Sequence, residues 1–402
     1  MDRIISLRSV ACSIAGLIGL GLGCSASALA QDARAPAPRP IGVAADYTAD
    51  LAGVAAGGVR RGVRYLDNIN VTTDADLDRW VGWRRGKAHV ALLSNVGGMP
   101  NDLAGSIQGI NNIEVGRHHV KLYEAWLEQG IGDRGSFRAG LYDVNSEFYQ
   151  TDAAGLLISP MFGVGSELAA TGVNGPAIFP STALAARLRV EAGAGYGAVA
   201  VINAHAGTLG DEDGIDFTGR DGALVIGEAG WTASGRVAIG AWAYTRTQPT
   251  IIPPEVSQGP GFHGSHGVYL IAEHGLAGAV DAPRHVTGFV RLGLSEGKTT
   301  PFRGGWQSGL LMNRPFAARP DSAVSIGAGS GVLSQSYRSA NPPDLPPLAR
   351  TETILEATYS DTLVKGVTLQ PDVQYVIRPA ADRTIPNALV LALRLTVGWA
   401  SR

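Results

Sequence analysis

The stretch VTLQPDVQYVIRPAADRTIPNALVLALRLTVGW, from Val367 to Trp399, restricts the fold more than any other part of the chain. Val367, Leu369, Val373, Tyr375 and Ile377 alternate with Thr368, Gln370, Asp372, Gln374 and Arg378. After a turn bracketed by Pro379 and Pro386, Leu389, Leu391, Leu393, Leu395, Val397 and Trp399 alternate with Val390, Ala392, Arg394, Thr396 and Gly398. Successive side chains of a strand point to opposite faces, so each run has one apolar face and one small or polar face. Runs of about ten residues suit tilted strands that cross a membrane. Strands of soluble sandwiches are mostly about five or six residues long.

A helical membrane protein does not fit. Beyond residue 30 one of the two longest uncharged stretches, Ala192 to Gly210, is rich in Gly and carries Asn203 and His205. The first thirty residues read as a signal peptide. Arg3 and Arg8 precede an apolar run from Val10 to Leu22, and Ala28-Leu29-Ala30 makes a small-x-small cleavage site. Both cysteines, Cys12 and Cys24, fall inside it. Residues 31–40, QDARAPAPRP, read as a flexible leader, which leaves 41–402 for the barrel. Only 17% of residues are charged and no acidic or basic block occurs, so nucleic acid is not an expected partner.

Period-two runs recur sixteen times, from Ile41–Leu51 to Asn387–Trp399, with Ala223–Trp231 and Gly304–Met312 the weakest. The connections alternate between long and short. The longest, Asp143 to Ala183, is the third on the long side. Long loops on one side and short turns on the other mark a transmembrane antiparallel β-barrel in the outer membrane, with extracellular loops and periplasmic turns. A loop of that length is expected to carry function, here by folding inward and narrowing the barrel.

Parity then assigns the wall. In Val120–Glu128, Leu122, Glu124, Trp126 and Glu128 share one face, which must be the lumen because carboxylates cannot face lipid cheaply. Tyr123, Ala125 and Leu127 share the lipid face. The same rule turns Arg138, Arg187, Arg189, Arg291, Glu356, Asp372, Gln374, Arg378 and Arg394 inward. Guanidinium forks beside carboxylates offer fixed donors and acceptors, which suit sugar hydroxyls. An indole suits the apolar face of a pyranose ring. The expected carbohydrate contacts are therefore Glu124, Trp126, Glu128, Arg138, Arg187, Arg189 and Arg394, with Glu147 from the long loop.

Four blocks carry a family resemblance: Ile110–Gln129 (INNIEVGRHHVKLYEAWLEQ), Arg138–Ser159, Gly175–Val190, and Leu369–Leu395. In this order they resemble the carbohydrate-selective porins of the OprB type, over about Tyr47 to Trp399. The resemblance implies passive diffusion of small carbohydrates such as monosaccharides, without cofactor or metal. It also implies partners in outer-membrane lipid and the outer-membrane insertion machinery, with a homo-oligomer as an open alternative. Two departures stand out. Only a Pro-rich leader precedes the first strand where the family has a Gly/Trp-rich segment. Trp399 is followed by Ala400, Ser401 and Arg402, where the family ends on an aromatic.

Two other readings compete, an outer-membrane β-barrel enzyme and a non-conducting structural or adhesive barrel. His118-His119 and His263-Gly-Ser-His266 lack a neighbouring carboxylate or cysteine to complete a metal set. No G-x-S-x-G, Walker loop or H-E-x-x-H occurs, so an enzyme is not expected. A closed barrel would need a lumen filled with apolar side chains, which the parity of the wall speaks against.

Overall fold

A computed structural model describes residues 39–401 apart from 117, 234, 252–260, 280, 281 and 283. The expected signal peptide and most of the expected leader lie outside the described residues. Sixteen antiparallel strands close into one barrel. They are β1 Ile41–Ala56, β2 Gly62–Asp76, β3 Gly86–Gly97, β4 His119–Ile131, β5 Gly135–Tyr142, β6 Ala183–Ala192, β7 Gly195–Asn203 and β8 Ala223–Trp231. The other eight are β9 Arg236–Tyr244, β10 His266–Ala277, β11 Val286–Ser295, β12 Phe302–Asn313, β13 Ala323–Leu333, β14 Thr351–Val364, β15 Val367–Ile377 and β16 Ala388–Ala400. A two-residue ribbon, Gln248–Pro249 with Phe262–His263, sits apart in an outer loop. Closure pairs β1 with β16, for example Leu51 opposite Leu393 and Asp50 opposite Arg394. Every strand thus has two neighbours and no backbone edge is left to lipid.

The asymmetry of connections holds. Outer loops span 98–118, 143–182, 204–222, 245–265 and 334–350, whereas the opposite end has tight turns such as 193–194 and 365–366. The outer connection between β1 and β2 is short. β1 and β2 extend upward to a hairpin at 57–61, where Gly57 and Gly58 take positive φ of 68° and 64°.

The outer face of the wall is apolar. Leu393, Leu292, Val268 and Ile239 are exposed, and Trp231 and Trp399 mark the short-turn end. Asp67 is an exception. It points outward on β2, and Tyr65 and Tyr47 donate their hydroxyls to it at 2.7 and 3.2 Å. Leu393→Arg should therefore cost roughly 2–4 kcal/mol in lipid refolding, as a cation on the lipid face does near the midplane. Thr396→Arg faces the lumen and should fold with a changed conductance; equal losses for both would overturn the face assignment.

Parity fails at one place in β4. Ala91 pairs with Glu124, but Leu92 pairs with Leu122, so Tyr123 is the extra residue of a bulge. Above the bulge the faces swap. Lys121 and Tyr123 turn inward and are buried; Tyr123 had been expected on the lipid face and Leu122 on the lumen face. Arg378 also leaves the wall. It follows the last residue of β15 in a left-handed conformation, φ 58°.

The core lies inside the barrel. Loop 143–182 places Val144, Phe148, Tyr149 and Leu168 against Ile202, Ile226, Trp242 and Ile271 of the wall. Further on, Leu157, Met161 and Phe162 pack on Phe289, Ile354 and Val376. One side of the lumen is therefore apolar and filled, contrary to a uniformly polar wall, because the inserted loop needs an apolar surface to bury its own side chains.

Candidate functional site

Loop 143–182 enters the lumen because β5 is only eight residues long and ends at Tyr142. The upper edge of β4 then lacks a strand partner. It is capped instead by Thr182 and Thr208, whose hydroxyls donate to the carbonyls of Tyr123 and Leu122, while Leu122 N–H donates to Leu209 O at 2.9 Å. Lys121 Nζ adds an ion pair with Asp211 at 2.6 Å.

Inside, the loop is held by complementary groups of the wall. Inward carboxylates accept its N–H groups: Glu124 from Asp143, Glu228 from Tyr149, Glu273 from Ala153, and Glu356 from Ile158 and Ser159. Inward donors meet its carbonyls. Arg236 reaches Gln150 O, Gln370 reaches Leu156 O, and Arg291 reaches the carbonyls of Tyr149, Met161 and Gly163. Loop 98–118 is held in the same manner. Glu352 accepts from Ser106 Oγ and from Ile107 and Gln108 N–H, and Gln374 donates to Ile110 O. The two loops meet where Asn112 N–H donates to Ile158 O. Much inward charge is thus spent on satisfying inserted backbone, which would otherwise be buried without partners.

Three residues expected from parity, Glu128, Arg138 and Arg187, form one cluster with Glu147 of the long loop. Arg187 donates to Glu128 at 2.5 Å and to Glu147 at 2.6 and 2.9 Å. Arg138 lies 3.0 Å from Glu128 and 3.9 Å from Glu147. Strands β4, β5 and β6 therefore share a two-arginine, two-glutamate network whose second glutamate comes from the loop. Both arginines are buried, while Glu128 and Glu147 keep some exposure.

Trp126 joins the cluster differently from the expectation. His89 stacks on one face at 5.0 Å and the Arg138 guanidinium covers the ring at 3.7 Å. His89 is itself held by Asp74 at 2.7 Å. With only 4% of the residue exposed, the indole has no free face for a sugar ring. Glu124 is also buried, accepting from Asp143 N–H. Arg394 stands on β16, four strands along from β4, with a forked pair of bonds to Asp50 at 2.9 and 2.8 Å and a third to Asn112. Arg189 lies lower, partly exposed, with its guanidinium 4.4 Å over Tyr196.

Sequence reasoning missed Asp50, His89, Tyr196, Glu228, Arg236 and Glu352. Parity could have turned each of them inward. Their partners are loop atoms or side chains on other strands, which no local pattern shows.

Glu114, on the inserted loop 98–118, has its carboxyl pushed up to about 7, chiefly by burial and then by the charge of Asp102, against a bond from Asn101 N–H. The folded value exceeds the ordinary one, so its stabilising proton is fully present at low pH and is lost as pH rises toward 7. Cation preference, read as reversal potential, should therefore rise between about pH 6 and pH 8. Glu114→Gln should flatten that change.

The chain can now be set beside known proteins. No curated protein matches it in sequence. The high-pH structure of Pseudomonas putida OprB is similar at TM-score 0.81 and 20% identity, covering 90% of this chain and 94% of that one. The low-pH structure of the same protein aligns at TM-score 0.57 and 16% identity, covering 90% and 93%. The outer membrane channel DcaP of Acinetobacter baumannii aligns at 0.55 and 8% identity, covering 89% and 97%. These likenesses show the fold. The model of the carbohydrate-selective porin OprB family matches residues 60–399, nearly the whole barrel with both inserted loops. The chain belongs to that family, as a sugar channel of the outer membrane.

Proposed function

We propose that small carbohydrates cross by passive diffusion between the wall of β1–β6 and the inner edges of loops 98–118 and 143–182. The observation that carries this is the division of the lumen. The inserted loops pack on the wall from β7 round to β16 and reach β1, where Asn111 donates to Asp50, while some inward donors and acceptors beside them stay reachable. Glu128 and Glu147, with Arg394 on β16 and Arg189 below, are inward and partly exposed. Sugar is uncharged, so directional hydrogen bonds select it rather than net charge. Trp126, Arg138, Arg187 and Glu124 hold this surface in shape from behind.

Single-channel conductance in a planar bilayer, with and without mono- and disaccharides, tests the reading. Wild-type protein should conduct small ions and show current block by sugar; an open channel indifferent to every sugar would defeat it. Arg189→Gln removes one exposed fork without leaving a buried partner. It should weaken sugar block by about tenfold or less, the worth of one or two hydrogen bonds, and move ion selectivity toward cations.

A further inference from the structure

The wall under loop 143–182 has an unusual surface. Gly293, Gly305 and Gly331 stand side by side on β11, β12 and β13, in direct register. All three share the inward parity of Arg291 and Gln307. The missing side chains cut a notch across three strands, and Glu352 closes its far end opposite Gly331. Three side chains lie in the notch, one of them the Phe302 ring of β12, over Gly331. Glu167, from the short helix Ser166–Ala169 of the loop, sits over Gly293 and Gly305. Gln108, from loop 98–118, sits over Gly331 and accepts from Ser166 Oγ at 2.7 Å.

The fit at Glu167 is close. A Cβ on Gly293 would overlap the Glu167 carboxyl outright, and one on Gly305 would stand 3.5 Å from its Oε2. Glu167 is 1% exposed. Its Oε1 accepts from Tyr149 Oη at 3.0 Å, whereas its Oε2 is buried with no hydrogen-bond partner. A buried oxygen left without a partner is unfavourable, so its placement is forced by the surrounding packing. Burial also holds this carboxyl above the ordinary carboxylate range, so a neutral amide of the same size fits the notch.

We propose that Glu167 is a positioning residue for the pore: keyed into the Gly293–Gly305 notch, it sets how far loop 143–182 stands from the wall. Loop position decides the width left beside β1–β6, and hence how sugar is gripped. The inference rests on the reading that sugar passes beside this loop.

The test is a mutant cycle on the full protein, read by single-channel current and sugar block, with heat-modifiability on gels to score assembly. Gly293→Ala should push the loop into the channel, changing small-ion conductance and weakening sugar block. Glu167→Ala empties the notch and should raise conductance with noisier current, while Glu167→Gln should behave as wild type. The combination of Gly293→Ala with Glu167→Ala should be no worse than Glu167→Ala alone, because the new methyl group then has room. Gly197→Ala, at an open position, serves as control. If Gly293→Ala fails to assemble, rescue by Glu167→Ala supports the key. Wild-type currents in Gly293→Ala, or additive effects in the pair, overturn it. Conductance reports on the loop even if no sugar blocks the channel, so the two readings fail separately.

Discussion

Arg187→Ala is expected to lower barrel stability by roughly 3 kcal/mol, measured as a shift of the urea midpoint in lipid or detergent. The arginine is 2% exposed and hydrogen-bonds to both Glu128 and Glu147. Removing it leaves two carboxylates facing each other with only Arg138 between them. Breaking a buried pair by deleting one partner costs about 3–5 kcal/mol. Lumen water reaches both glutamates, whose side chains are 11% and 15% exposed, which places the loss at the lower end. Arg187→Lys should recover little, since one ammonium cannot reproduce the forked contacts to two partners and to Ser136. A midpoint unchanged from wild type would mean that the network contributes nothing to holding the loop against β4–β6.

Glu356→Leu is the second substitution with a large expected effect. Glu356 is buried and accepts from two consecutive loop N–H groups, those of Ile158 and Ser159. Leucine has a similar volume but no acceptor. Two buried donors would be orphaned, at about 1–3 kcal/mol each. The loop can avoid that cost by leaving the wall, so the expected result is a raised and unsteady conductance with weakened sugar block. Glu356→Gln keeps one carbonyl acceptor and should lie between the two. Leucine currents indistinguishable from wild type would show that the apolar packing of Leu157, Met161 and Phe162 suffices to seat the loop.

Both effects concern side chains that the sequence turned inward, Arg187 as a carbohydrate contact and Glu356 with no task assigned. Parity is a local property. Any residue two positions from an inward carboxylate is also inward, unless a bulge intervenes as at Tyr123. Glu128, Arg138, Arg187, Arg189 and Arg394 could therefore be assigned to the lumen from their neighbours alone. Glu356 could as well, but nothing near it in sequence shows that its partners lie at 158 and 159. The stacking task expected of Trp126 failed for the same reason. His89 and Arg138 come from two other strands and close both faces of the ring.

By itself the sequence determined the barrel, its sixteen strands, the lipid face, the long and short ends and the family, because alternation and turn chemistry act over a few residues. The tertiary structure alone decided what the inward charges do. Loops 98–118 and 143–182 return into the lumen, and their backbone N–H and C=O groups must be satisfied there by whatever the wall presents. Long-range pairing of loop backbone with wall side chains obeys no period. It follows from burial, which leaves no polar group without a partner at small cost.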